Sequence, residues 1–229
     1  MNTIELIDRL EQDKSLQKEE WIHVIEDDSE ENRKYAAEKA RALGDTYYGK
    51  EIFVRGLIEF TNYCKNDCYY CGIRCSNKKA NRYRLSEEDI LACCEEGDRL
   101  GFRTFVLQGG EDPYYTDDKI VDIVREIKRR YPEHAVTLSI GERERESYER
   151  FFAAGADRYL LRHETANDTH YRKLHPESMS LSHRKQCLRD LKEIGYQTGC
   201  GFMVGSPGQT AADLAEDFLF IHELHPEMI

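Results

Sequence analysis

Polar and apolar positions alternate in two different rhythms along the chain, and the change falls near Glu51. Before it, residues 1–48 carry helical periodicity on a polar background, with room for two or three short amphipathic helices. The clearest is "DDSEENRKYAAEKARAL", where Ser29 is placed to cap and Ala36, Ala40, Leu43 and Tyr47 fall on one face. After it, short apolar runs alternate with longer periodic ones. "IFVRGLIEF", "RTFVLQ", "AVTLSI", "DRYLLR" and "TGCGFMV" read as strands. "SEEDILACCEEGDRLG", "TDDKIVDIVREIKRRY", "RESYERFFAAG", "LSHRKQCLRDLKEIG" and "TAADLAEDFLFIHEL" read as the helices between and after them. Ser86 and Asp89 sit at capping-box spacing, and Gly101 stands just past the end of that helix. The closing "HPEMI" reads as the start of a further strand.

Strand–helix alternation at roughly 25 to 35 residues per unit predicts a parallel α/β fold. The sequence holds five complete units and the start of a sixth. An eight-unit barrel takes about 250 residues, and only about 180 of the 229 follow Glu51. The expectation is a helical segment over residues 1–48 and, over 49–229, an incomplete amino-terminal portion of a (β/α) barrel.

Charge narrows the partners. The chain has 33 Lys and Arg against 44 Asp and Glu, a net charge of −11. Bulk nucleic-acid binding needs the opposite balance. No apolar run approaches a membrane span, and the N-terminus lacks a signal-peptide pattern. These features predict a cytoplasmic protein, and in that compartment clustered thiols read as metal-binding or catalytic rather than as disulfides.

Eight cysteines make that point important, because four of them, Cys64, Cys68, Cys71 and Cys75, fall in "NYCKNDCYYCGIRCSN". Cys64, Cys68 and Cys71 have the spacing C-x3-C-x2-C. Three thiolates from one loop fill three corners of a cubane cluster and leave one iron open to a small molecule. Cys75 as a fourth ligand would close the site, around zinc or around a cluster. The loop follows the first strand of the α/β repeat, the end of a parallel barrel where active sites gather. Tyr70 stands next to the last cysteine and would cover the cluster. Cys93, Cys94, Cys187 and Cys200 read as ordinary core or surface thiols.

Later strand ends carry further candidates. "VLQGGEDPYY" places two glycines where a ligand can approach the backbone. In "TLSIGE", Thr137 and Ser139 alternate with Leu138 and Ile140 and would point into a barrel. "LLRHETAND" puts Arg162, His163 and Glu164 directly after Leu161. Arg184 offers a planar fork to a carboxylate. The glycines of "GCGFMVGSPGQT" do not open a helix, so no dinucleotide fingerprint is read there.

"CKNDCYYC" after the first strand and "QGGE" after the second resemble the radical S-adenosylmethionine (SAM) superfamily. The resemblance implies a 4Fe–4S cluster held by Cys64, Cys68 and Cys71, with SAM chelating the open iron and yielding a 5′-deoxyadenosyl radical. It also implies that Tyr70, Gly109, Gly110, Glu111, Ser139, Glu164 and Arg184 lie on the cofactor side. "FTNYCKNDCYYCGIR", "QGGEDPYY", "TLSIGE", "ADRYLLRHETAN", "KLHP" and "MVGSPGQT" are similar to the HydE type of iron–iron hydrogenase maturase, with biotin synthase-like relatives such as methylornithine synthase. That type implies a small iron complex as substrate, faced by Gln108, Thr137 and Arg162. It implies a flavodoxin- or ferredoxin-type electron donor and a connection to other hydrogenase maturases. A mutase or sulfur-inserting enzyme on the same barrel, and a closed structural metal or redox module, are the competing expectations. Five units cannot close an eight-strand barrel, so the 229-residue chain is expected to be a poor enzyme alone, with Met203 and Val204 near an open sheet edge.

Overall fold

A computed structural model describes residues 1–229. Contacts divide the chain into two compact units. The first consists of Met1–Phe53, Glu164–His170 and Phe202–His225; the second of Val54–His163, Tyr171–Gly201 and Pro226–Ile229.

The first unit is helical. Helices α1 (Thr3–Asp13) and α3 (Glu30–Tyr48) begin at Asn2 and Ser29, whose side chains accept the exposed amides of Glu5 and Asn32. Helix α2 (Lys18–Glu26) lies between them, and the last helix of the chain (Ala211–Leu224) joins the bundle. The core is Leu6, Leu16, Trp21 and Ala215, with the Trp21 ring stacked on Phe218 at 4.3 Å. Contrary to expectation, α3 buries none of its residues, and Tyr47 is 72% exposed. It is held to α1 by polar contacts instead: Tyr35 donates to Asp8 (2.6 Å), and Lys39 pairs with Asp8 (2.9 Å) and Glu11 (2.8 Å).

The second unit carries the sheet. Strands β1 (Gly56–Thr61), β2 (Thr104–Gly109), β3 (Ala135–Ser139), β4 (Arg158–Leu160) and β5 (Gln197–Gly199) run parallel in the order β1-β2-β3-β4-β5. Helices α4 (Glu87–Arg99), α5 (Asp117–Arg130), α6 (Arg145–Ala154) and α8 (Leu181–Ile194) provide the crossovers. The capping box of Ser86 with Asp89 forms as the sequence predicts. A short helix, α7 (Asp168–Leu174), was not foreseen, and Ala211–Leu224 is therefore α9.

Register separates the sheet's two faces. Ile58, Phe60, Phe105, Leu107, Val136, Leu138, Tyr159 and Thr198 lie on one face and are buried. The helices cover this face, with Phe105 against Gly97 of α4 and Tyr148 of α6 edge-on to Tyr159. The other face is mixed: Glu59, Gln108, Thr137, Ser139, Arg158 and Gln197 stand among Leu57, Val106 and Leu160. A parallel sheet is normally apolar on both sides. Polar side chains at several positions of the second face suit the inside of a ligand-binding barrel.

The strand expected over "TGCGFMV" is cut short. Strand β5 ends at Gly199, and beyond it Met203 bonds through its amide to the Glu164 carbonyl (2.9 Å), with Val204 76% exposed. Met203 and Val204 are therefore not edge-strand residues. At the edge of β5, Gly199 is bridged in parallel by Met228, the beginning of the sixth strand predicted from "HPEMI".

Candidate functional site

In a parallel sheet all strands end on the same side, so the loops after β1, β2 and β3 meet there. The first is the cysteine loop. Two residues, Thr61 and Arg84, tie its two ends to Asp112 at the exit of β2, and the Tyr114 amide steadies Asp112 within its own loop. The Thr61 hydroxyl donates to Asp112 (2.7 Å), Arg84 donates to both Asp112 oxygens (2.7 and 2.9 Å), and the Tyr114 amide donates to Asp112 (3.0 Å). Asp112 is 1% exposed. Burial pushes its carboxyl pKa up, but the hydrogen bonds from Arg84, Thr61 and Tyr114 outweigh that and hold it below the usual value.

Gly110 lets the loop come close. A Cβ there would lie 2.2 Å from the Tyr63 carbonyl oxygen and 2.7 Å from the Cys64 Cβ, which no larger residue tolerates. A second guanidinium, that of Arg82, gathers the far side of the loop. It donates to the carbonyls of Asn62, Ile73 (2.8 Å), Arg74 (2.8 Å) and Asn77 (3.2 Å).

Held this way, Cys64, Cys68 and Cys71 are half-buried and Cys75 is exposed, all four as free thiols. Burial pushes the Cys64 thiol up. Burial likewise pushes Cys68 up to about 11, Arg184 pulls it back, and Cys64 and Cys71 add to the rise. The three thiols thus lie within electrostatic reach of one another. Cys75 instead faces Asp67, and its amide donates to Asn66 (2.9 Å).

This donor set fits an iron–sulfur cluster. Burial makes the Cys64 and Cys68 thiols costly to ionise alone, and a bound cationic iron centre would offset that cost. No three His, Cys, Asp or Glu side chains converge tightly enough to surround a single ion. A cubane distributes its ligands over separate corners and calls for a wider arrangement.

Glu111 follows the two glycines and is buried. Its carboxylate accepts from the Glu142 amide (2.9 Å) and pairs with Lys65 of the cysteine loop (3.1 Å). Gly141, at φ 78°, leaves the space that this carboxylate fills. Arg184, in the first turn of α8 and 7% exposed, donates to Glu142 (2.5 Å) and to the Arg162 carbonyl (3.1 Å). Arg184 is also the charge that lowers the Cys68 thiol. Glu111, Arg184 and the cysteine loop are therefore joined on the carboxyl-end side through Lys65 and Glu142.

Tyr70 is 41% exposed, and its hydroxyl lies 3.1 Å from Nε2 of His175. Nδ1 of that ring is 3.0 Å from the Tyr171 carbonyl, which can only accept. Nδ1 is then the protonated nitrogen and Nε2 accepts from Tyr70. Burial lowers the His175 pKa to about 4, keeping the ring neutral.

Gln108 and Ser139 are direct neighbours across β2 and β3, and Thr137 shares their face. The Thr137 hydroxyl is buried without a hydrogen-bond partner. Arg162 is exposed and its side chain passes over Gly201. Glu164 belongs to the first unit, where it is buried and holds φ 67°. A left-handed conformation in a buried non-glycine residue is strained, and such strain gathers at functional positions.

Sequence reasoning missed Arg82, Asp112, Glu142 and His175. Asp112 had one signal, its position directly after the glycine–glycine–glutamate run; a loop arginine such as Arg82 looks like any surface arginine.

A profile of the radical SAM superfamily matches residues 58–221. The chain is 52% identical over 183 residues to the FeFe hydrogenase maturase subunit HydE of Thermotoga maritima, covering 80% of this chain and 52% of that protein. It is 33% identical over 180 residues to 3-methylornithine synthase of Methanosarcina acetivorans, covering 78% and 51%. The crystal structure of methylornithine synthase (PylB) superposes with a TM-score of 0.88 at 27% identity, covering 98% of this chain and 67% of that one. The chain spans about half the length of the curated relatives it matches.

Proposed function

The chain belongs to the radical SAM superfamily, and from that membership we propose that it reductively cleaves SAM at a three-cysteine 4Fe–4S cluster during assembly of the iron–iron hydrogenase active site. The observation that carries the reading is the cysteine loop, with three half-buried thiols within reach of one another and Cys75 turned to solvent. When bound, the cluster supplies the electron that splits SAM into methionine and a 5′-deoxyadenosyl radical.

The chain's own residues bind and orient. Cys64, Cys68 and Cys71 would hold the cluster as thiolates. Glu111 offers a buried carboxylate to the SAM ammonium, in exchange for the Lys65 contact it makes now. Arg184, fixed by Glu142, offers its fork to the SAM carboxylate and ribose region. Tyr70, held by neutral His175, shields the loop. Gln108, Thr137 and Ser139 line the sheet's second face, and the unpartnered Thr137 hydroxyl offers a hydrogen bond to the second ligand.

The relation to HydE supports the role in hydrogenase maturation; a small iron complex as that second ligand, other hydrogenase maturases as partners and a reducing cytoplasm complete the proposal. The relation to methylornithine synthase supports a carbon-skeleton rearrangement as the second reading. Anaerobic incubation with SAM, reductant and each candidate substrate separates them. Stimulation of 5′-deoxyadenosine release by a cysteine-bearing iron carbonyl cyanide complex, and not by amino acids, supports maturation; the reverse refutes it.

A further inference from the structure

The loop that carries the thiols is the basic exception in an acidic chain. Residues 62–84 hold six Lys and Arg and one acidic residue, while the whole chain carries −11. Part of this charge lines a groove of about 520 Å³ that also includes Tyr69, Tyr70 and Cys71. Its basic members are Arg74, Lys78 and Lys79, and both lysines are exposed. Tyr69 is 53% exposed. One of the three proposed cluster ligands therefore sits in the wall of an open, basic groove with aromatic rings on its rim.

The groove is also preorganised. The Arg82 guanidinium fixes the backbone at Ile73, Arg74 and Asn77. Asp67 accepts from the Ser76 hydroxyl (2.6 Å) and amide (3.2 Å). Little ordering remains to be done when a partner lands.

We propose that this groove is the docking surface for an acidic one-electron donor protein, with Lys78 and Lys79 as its steering charges. The proposal rests on the reading of the loop as a reducible cluster site. Such a cluster needs an electron from outside the chain, and the donor must come close to a ligand of the cluster. An acidic donor is repelled by the net charge of −11 everywhere except where the local field is reversed. One electron leaves the donor's reduced centre and enters the cluster; the donor is oxidised, the cluster reduced, and no bond forms or breaks. A small, wet, charge-steered contact suits a donor that must leave again.

The test has two arms, with flavodoxin or ferredoxin as the acidic probe. In the first, a labelled donor is titrated with the cluster-free chain at low salt. The Lys78→Glu/Lys79→Glu variant is expected to bind about tenfold more weakly, and the difference should shrink at high salt. A control, Lys34→Glu/Lys50→Glu, changes net charge equally at exposed positions elsewhere and should bind like the unaltered chain. Equal binding by the groove variant, or equal weakening by the control, overturns the proposal.

In the second arm, stopped-flow absorbance follows reduction of the loaded chain. Donor-driven reduction should slow about tenfold in the groove variant, while reduction by a viologen radical, which needs no docking surface, should hold within about twofold. Equal slowing with both reductants overturns the docking role. If neither reductant bleaches the unaltered chain, the cluster reading itself fails, and the binding arm still judges the surface.

Discussion

Replacing Asp112 by Asn tests whether one buried carboxylate holds the cysteine loop to the second strand. Asp112 is 1% exposed and accepts four hydrogen bonds, two of them from the Arg84 guanidinium. The amide keeps the shape but loses the charge and at least one acceptor site facing Arg84. Hydrogen bonds to charged groups contribute about 1.5–3 kcal/mol each, and removing one partner of a buried pair costs about 3–5 kcal/mol. Arg84 softens this, because its side chain is 33% exposed and rests on the rings of Tyr63 (3.8 Å) and Tyr114 (4.8 Å). The expected loss is therefore about 2 kcal/mol, the lower part of the range. At this chain length that is a fall of about 4–8 °C in the melting temperature of the cluster-free protein.

The pH dependence gives a second handle. The folded-state pKa of Asp112 lies below its unfolded value, so the carboxylate stabilises above the unfolded pKa of about 4 and loses that contribution as pH falls through the folded one. Circular dichroism melts at neutral pH and down to about pH 3 should show the variant and the unaltered chain converging in acid. Equal stability at neutral pH, or a gap that persists undiminished in acid, refutes the reasoning.

Three further outcomes follow from the same contacts. Arg82→Met should remove one donor from each of four loop carbonyls and speed iron release to a chelator by at least about tenfold; Arg82→Lys should not rescue it, because an ammonium lacks the fork. Arg184→Ala should weaken SAM binding by about tenfold in equilibrium dialysis while iron content stays at four per chain, since the side chain it removes is no ligand. Gly110→Ala drives a Cβ to 2.2 Å from the Tyr63 carbonyl oxygen, so the loop must shift and iron incorporation should fall by more than half even where the chain folds.

The sequence makes the sheet's order legible because each strand–helix unit repeats one local pattern: the Ser86–Asp89 cap and the apolar stripe of α5 require no knowledge of distant residues. Strand ends are a different matter. "TGCGFMV" has strand composition throughout, but β5 stops at Gly199; beyond it the amides of Cys200 and Met203 bond to two different segments, at Met228 and Glu164, and make no continuous ladder. The face of α3 misled for a related reason: periodicity shows that Ala36, Ala40, Leu43 and Tyr47 align, not that anything covers them. The cysteine spacing was legible because cluster chemistry needs close thiols. Arg82 and Asp112 were not, since their value lies in reaching carbonyls and side chains up to 51 positions away.

The most direct test of the three-thiol site is electron paramagnetic resonance of the reduced, anaerobically reconstituted chain with and without SAM, run beside Cys75→Ala. A three-thiol site gives a 4Fe–4S signal that changes on adding SAM and persists in Cys75→Ala, while Cys64→Ala, Cys68→Ala and Cys71→Ala lose it. A signal indifferent to SAM, or one that disappears with Cys75, would contradict it.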